Sequence, residues 1–217
     1  MLDRKKKYLQ ISVNSDMENA RLIIKNLPVD ERIIIEAGTP FLKRYGIEGL
    51  RFLRSIWNGY IVADWKTIDR GATETSLTLE GNANAIIIMA SAPKETIETA
   101  IENAKKNNLD VFLDFMNTEN PSYILSQLKL LPDVALIHRG VDETEKSFRD
   151  KPLPFYEINR IKGRFDVLVG IAGGDTIQEI SSAIFNGADL VVVWKDFYLY
   201  DKDTTRKTVL EFLKEIR

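Results

Sequence analysis

Tyr60-Ile61-Val62-Ala63-Asp64-Trp65-Lys66-Thr67-Ile68-Asp69 runs from an apolar stretch into three ionisable residues. A short apolar run that ends on charges reads as a parallel strand covered on both faces, with its C-terminal end opening at a site. Asp64 and Lys66 are two apart, so on a strand they point the same way, toward the mouth. Asp69 lies just beyond, on the loop that enters the next helix. Outward from this stretch the same pattern recurs: strands are expected at 8–14, 32–37, 60–66, 85–90, 111–115, 134–138, 167–171 and 190–195, with amphipathic segments between them. Eight β-then-α units with right-handed crossovers either close into a barrel or spread into an open doubly wound sheet. The count of eight, and the lack of a Gly-x-Gly-x-x-Gly turn after the first strand, favour an α/β fold of the (β/α)8 TIM barrel type. It is expected as a single domain over residues 1–217.

The helices carry their own start and stop signals. Asp16 can cap a helix that ends near Leu27, where Pro28 prevents continuation. Pro93 belongs in the first turn of a helix reaching about Asn107. The segment 176–185 sets Ile177, Ile180 and Ile184 at helical spacing and stops at Asn186-Gly187, and 204–216 closes the chain with an apolar face. Gly81-Asn82-Ala83-Asn84, Asn107-Asn108-Leu109-Asp110 and Asn186-Gly187-Ala188-Asp189 are three similar helix-to-strand turns.

At 217 residues the chain suits one well-buried core, and 44% hydrophobic with 29% charged residues is ordinary for a soluble protein. A net charge of −2 gives no electrostatic case for nucleic acid or an anionic membrane. The basic start, Arg4-Lys5-Lys6-Lys7, is expected as a solvated terminus. There is no cysteine, which excludes disulfides, thiolate metal sites and cysteine nucleophiles and suits the cytoplasm. No apolar run reaches the roughly 18 residues of a membrane span, and no signal peptide precedes the first strand.

Barrels of this kind place their chemistry at the C-terminal ends of the strands. There the sequence sets Asn14, Glu36, Asp64 with Lys66, Asp114, His138 with Arg139, Gly173-Gly174 and Lys195. So many ionisable groups on apolar strands are costly unless they pair or bind something. A lysine flanked by carboxylates stays protonated and can stabilise a developing oxyanion. Glu36 and Asp64 make a carboxylate pair on neighbouring strands, a donor set that suits Mg2+. The same groups are equally the material of a salt-bridged barrel rim without chemistry. His138, the single histidine, is either a satisfied structural residue or an acid–base group at the mouth. Gly173-Gly174 can offer backbone N–H groups to a phosphate, or simply make a tight turn. Trp57 is expected in helix packing, and Trp65 and Trp194 facing the helix layer or a subunit interface.

Asp64, Lys66 and Asp69 form an Asp-x-Lys-x-x-Asp pattern, and with it the chain resembles the orotidine 5′-monophosphate decarboxylase suprafamily. Leu9-Gln10-Ile11, Ile35-Glu36-Ala37-Gly38-Thr39-Pro40-Phe41-Leu42, Val111-Phe112-Leu113-Asp114, His138-Arg139-Gly140-Val141-Asp142 and Ile171-Ala172-Gly173-Gly174 match in the same register. Within that group the chain is most similar to the 3-hexulose-6-phosphate synthase branch. Glu36 stands where the UMP-forming decarboxylase has a lysine, and Val141 where the 3-keto-L-gulonate 6-phosphate enzyme has a functional arginine. The resemblance implies that Glu36 and Asp64 hold Mg2+ and that Lys66 neutralises an enediolate oxygen. It further implies that His138 transfers the proton, and that Asp69 reaches into the partner's site of a homodimer. It makes Asn14, Asp114, Arg139, Gly173, Gly174 and Lys195 candidate contacts to a small phosphorylated sugar.

Two departures accompany the match. Asn14 replaces an aspartate, and Val193-Trp194-Lys195-Asp196 replaces the Gly-Arg-x-Ile that grips phosphate after the eighth strand. Three functions therefore stay open: a Mg2+-dependent aldolase joining ribulose 5-phosphate and formaldehyde, another lyase or decarboxylase of the suprafamily, and a ligand-binding barrel without turnover.

Overall fold

The computed structural model describes residues 1–146, 154–173, 176–194 and 202–216. Eight parallel strands close in chain order: β1 (Tyr8–Val13), β2 (Ile33–Ala37), β3 (Tyr60–Thr67), β4 (Ala85–Met89), β5 (Asp110–Asp114), β6 (Val134–His138), β7 (Leu168–Ala172) and β8 (Leu190–Val193). Closure is made by β1 against β8, in register from Tyr8 with Leu190 to Ile11 with Val193. Around them lie α1 (Met17–Asn26), α2 (Thr39–Ile56), α3 (Gly71–Glu80), α4 (Lys94–Lys106), α5 (Pro121–Gln127), α6 (Val141–Lys146), α7 (Tyr156–Lys162), α8 (Ile177–Phe185) and α9 (Lys202–Glu215). The fold is the expected (β/α)8 TIM barrel.

Burial on two sides explains the continuous apolar runs. Leu9, Ile11, Val13, Ile33 and Ile35 pack in the layer between strands and helices. Tyr8, Ile34, Val62, Ile87, Phe112, Leu190 and Val192 fill the lumen. Each strand thus excludes water on both faces, and the alternation of a half-exposed strand has no cause. The lumen is closely filled at Gly170: a Cβ there would lie 2.9 Å from Leu136 Cδ1 and 3.0 Å from Leu190 Cδ2, so those side chains would have to shift.

Local signals act where the sequence placed them. Asp16 accepts from the Asn19 amide at 2.8 Å and starts α1. Thr176 and Glu179 form a reciprocal capping box at α8. Asn82, Asn108 and Gly187 take φ of 58°, 54° and 94°, so all three look-alike turns use a left-handed residue to leave the helix. The basic start is solvated as expected, with Arg4 and Lys5 exposed and Lys6 and Lys7 half-exposed, and it also pairs. Arg4 pairs with Asp166 at 2.9 Å, Lys6 with Glu31 at 2.7 Å and Lys7 with Asp189 at 2.9 Å, because the terminus crosses the N-terminal end of the barrel and meets carboxylates there. The Leu2 amide donates to Asp110 at 2.9 Å and the Asp3 amide to the Tyr8 hydroxyl at 2.7 Å, which closes that end.

Phe112 is fully buried in the lumen. Phe112→Ala should lower the free energy of unfolding by about 3–5 kcal/mol, read by urea denaturation. A loss under about 1 kcal/mol would show that the lumen is not close-packed there.

Candidate active site

Strand register sets the polar residues side by side at the C-terminal mouth. Ser12 lies opposite Glu36 across β1 and β2, and His138 opposite Ala172 across β6 and β7. On β3 the register to β4 shifts: Ala63 pairs with Ile86, but the next partners are Thr67 and Ile88. The surplus of residues on β3 falls on Asp64-Trp65-Lys66, and Lys66 adopts a φ of 50°. A left-handed lysine costs on the order of 1 kcal/mol or more, and such backbone persists only where its surroundings over-determine it. Simple strand alternation therefore does not describe Asp64 and Lys66. A bulge re-aims the lysine, and its ion pairs hold it there.

Those pairs form one network. Lys66 Nζ donates to Asp64 Oδ2 and to Asp114 Oδ2, each at 3.0 Å. Asp114 Oδ2 also meets His138 Nδ1 at 2.8 Å, and its Oδ1 accepts from the Met116 amide at 2.8 Å. Asp114 has no exposed surface. Burial by itself raises its pKa, yet the hydrogen bonds and charges of His138 and Lys66 outweigh burial and bring the carboxyl down to about 2. Burial likewise opposes the Lys66 ammonium, and the charges of Asp64, Asp114 and Glu36 outweigh it, holding the group above its ordinary value. An ionised Asp114 can only accept, so His138 Nδ1 carries a hydrogen toward it.

Glu36 stands differently. Ser12 Oγ donates to its Oε1 at 2.8 Å and Gln10 Nε2 donates to its Oε2. Burial first, and the Asp64 charge second, push Glu36 up to about 7 against the charge of Lys66 and these two donors. Asp64 accepts a further bond from Thr39 Oγ1 at 2.8 Å. A buried carboxylate that feels a neighbouring carboxylate's charge is what a divalent cation relieves. Mg2+ takes one or two carboxylates and keeps its remaining ligands as water. Among the described residues no group of three or more His, Cys, Asp or Glu side chains forms a cage for a metal. A pair of buried carboxylate oxygens is the donor chemistry that Mg2+ takes.

These groups line a cavity of about 350 Å³ together with Asn14, Arg139, Gly173 and an apolar side made of Ile87, Leu136, Val141, Ala172, Val192 and Trp194. Asp114 lies beneath the cavity, where it organises Lys66 and His138. Asn14 donates from Nδ2 to Ser12 Oγ at 3.3 Å, and its Oδ1 fills the space a Cβ at Gly38 would need. Arg139 donates to the Gly173 carbonyl at 2.7 Å and to Glu179 at 3.3 Å. Gly173 has a φ of 91°, and a Cβ there would come within 2.3 Å of the Arg139 carbonyl, so glycine is obligatory. Asp69 is exposed and accepts from the Arg70 amide at 2.7 Å, away from this chain's own cluster. Gly174 and Lys195 lie outside the described residues.

Trp65 donates from its indole to Thr78 on α3 at 2.9 Å, as expected of a residue facing the helices. Trp194 does not face them: it lines the cavity, continuing the inward parity of Leu190 and Val192 on β8. Gln10, Ser12 and Thr39 are the site residues that a search for charge overlooks. The signal for two of them was the inward parity of Tyr8, Gln10 and Ser12 against the apolar Leu9, Ile11 and Val13.

A model of the orotidine 5'-phosphate decarboxylase / HUMPS family matches residues 7–194, and the chain belongs to that family. It is 37% identical over 188 residues to a bifunctional enzyme Fae/Hps of Methanocella arvoryzae, covering 86% of this chain and 48% of that protein. It is 38% identical over 186 residues to the protein of the same name from Methanocaldococcus jannaschii, covering 85% and 46%. The chain thus spans about half the length of these curated relatives. In architecture it is similar to the crystal structure of 3-hexulose-6-phosphate synthase from Salmonella typhimurium, with a TM-score of 0.84 and 23% identity over 96% of this chain and 99% of that one.

The raised Glu36 carboxyl sets a pH dependence on the metal-free protein. Its favourable contribution is complete below about 4.5 and is lost as pH rises through about 7. The loss is on the order of 3 kcal/mol. Asp114 acts in the opposite sense, but only in acid as pH falls toward about 2. Glu36→Gln should therefore gain stability over the parent at pH 8 relative to pH 5 when both are unfolded in urea with chelator present. Parallel pH profiles for the two proteins would show that Glu36 does not bear this cost.

Proposed function

We propose that the chain is a carbon–carbon lyase of the 3-hexulose-6-phosphate synthase type, joining ribulose 5-phosphate and formaldehyde through an enediolate. The observation that carries this is Lys66, held by Asp64 and Asp114 in the wall of a cavity that also presents Glu36 and His138. The names of the Fae/Hps relatives, and the family itself, support the same chemistry.

Each residue then has a task. His138 Nε2 takes the proton from the carbon beside the substrate ketone, and the imidazolium formed is stabilised by Asp114 on Nδ1. The Lys66 ammonium neutralises the enediolate oxygen that develops. The enediolate carbon bonds to the carbon of formaldehyde, whose π pair moves to its oxygen. The proton on His138 returns to that alkoxide. Glu36 and Asp64 would hold Mg2+, which supplies additional positive charge where the enediolate forms. Ser12 and Asn14 offer hydroxyl and amide groups to the sugar hydroxyls. A decarboxylase must also seat a substrate carboxylate. The rim offers Val141 at the cavity edge, and Arg139 is engaged with Gly173 and Glu179. That favours the aldolase over a keto-acid decarboxylase.

The protein is proposed to act in the cytoplasm as a homodimer, with Asp69 completing the partner's site. Asp69 stands outside its own cluster beside Ile68, an apolar residue 57% exposed. Among the described residues no helix is long and apolar enough to cross a membrane.

Hexulose phosphate formation from ribulose 5-phosphate, formaldehyde and Mg2+, followed spectrophotometrically, tests the assignment. Turnover should stop with chelator and return with Mg2+; absence of turnover under both conditions refutes the aldolase. Lys66→Ala should lower kcat at least about 100-fold in a protein that still folds, read by circular dichroism. A rate within about threefold of the parent would remove the lysine from the chemistry.

A further inference from the structure

Gln10 sits on the lumen face of β1 with no exposed surface, level with Ile34 on β2 and Val192 on β8. Its Nε2 donates to Glu36 Oε2, while its Oε1 has no hydrogen-bond partner among the described residues. A buried carbonyl without a partner is unfavourable, and a methionine would fill the same length without polar atoms. Its lumen neighbours on both sides obey that rule, Ile34 on β2 and Val192 on β8. The amide is therefore poorly explained by packing and well explained by what it holds.

What it holds is a carboxylate whose charge the site has reason to keep. Gln10 donates to one oxygen of Glu36 and Ser12 to the other. Both donors are neutral and come from one strand. A lysine or arginine in their place would orient Glu36 equally well but would neutralise it and compete with a cation. Two neutral donors restrict the carboxylate and leave its charge and remaining lone pairs unspent.

We propose that Gln10 is a positioning residue that fixes the Glu36 carboxylate for cation binding, and that it is kept in the lumen at the expense of barrel stability. The inference rests on the assignment of Glu36 as a Mg2+ ligand. Gln10→Met and Gln10→Leu test it through two readouts that move in opposite directions. In metal-free protein Tm should rise by about 2–4 °C in at least one variant, because the unpartnered carbonyl is gone. By isothermal titration calorimetry the same variant should bind Mg2+ about tenfold more weakly. A residue that only supports the fold would lower Tm and leave affinity unchanged. A lower Tm in both variants overturns the proposal, as does Mg2+ affinity equal to that of the parent. A parent that binds no Mg2+ would refute the metal assignment itself. The metal-free Tm comparison would then still decide whether Gln10 is held against stability.

Discussion

Asp114 is a carboxylate with no exposed surface at the end of an apolar strand, and its charge must be answered from within the protein. Two side chains answer it through the same oxygen, the Lys66 ammonium at 3.0 Å and the His138 Nδ1–H at 2.8 Å. Much of the mouth follows from this. Lys66 reaches Asp114 from a bulged, left-handed position on β3, so the register shift between β3 and β4 belongs to the same arrangement. His138 has its tautomer set by the acceptor-only oxygen it faces, which leaves the basic nitrogen on the other side of the ring. The Met116 amide holds the second oxygen of Asp114 and so fixes the carboxylate plane. A buried anion beneath the cavity thus gives the Lys66 and His138 side chains their geometry.

The barrel was legible because its cause is local and repeated. Eight apolar runs, three similar Asn/Gly turns and the caps at Asp16 and Thr176 all follow from burial on both faces of the strands and from backbone needs a few residues long. The charged half of the site was legible for a related reason: ionisable residues at the ends of apolar strands stand out against what surrounds them. Residues whose role depends on the third dimension were less visible. Lys66 carries no sequence mark of its positive φ, since bulges depend on the neighbouring strand as much as on their own residues. Gln10 and Thr39 are neutral, and only the folded structure brings them onto Glu36 and Asp64. Trp194 was expected in the helix layer or at a subunit interface, although the parity of Leu190 and Val192 pointed inward, to the cavity it lines.

That misplacement bears on substrate choice. The cavity has a charged side at β2, β3 and β6 and an apolar side that includes Val192, Ala172 and Trp194. Charge in this mouth is already paired: Lys66 with two aspartates, Arg139 with Gly173 and Glu179. Several groups at the start of α8 are occupied too, since Thr176 and Glu179 cap one another. A ligand here meets charged groups that, among the described residues, are already engaged with one another.

The two ends of the barrel divide stability and chemistry between them. At the N-terminal end the Tyr8 hydroxyl, Asp110 and the basic terminus are paired with one another and with nearby loops. Their pattern is that of groups chosen to be satisfied. At the C-terminal end the protein keeps a left-handed lysine, a glutamate pushed up to about 7 and a buried amide with one orphan atom. None of these is what stability alone would select, and all three converge on the walls and floor of one cavity. Unfavourable features scattered over a protein would signify little. Gathered around one cavity at the mouth of the barrel, they are features that surroundings must over-determine for the fold to keep them.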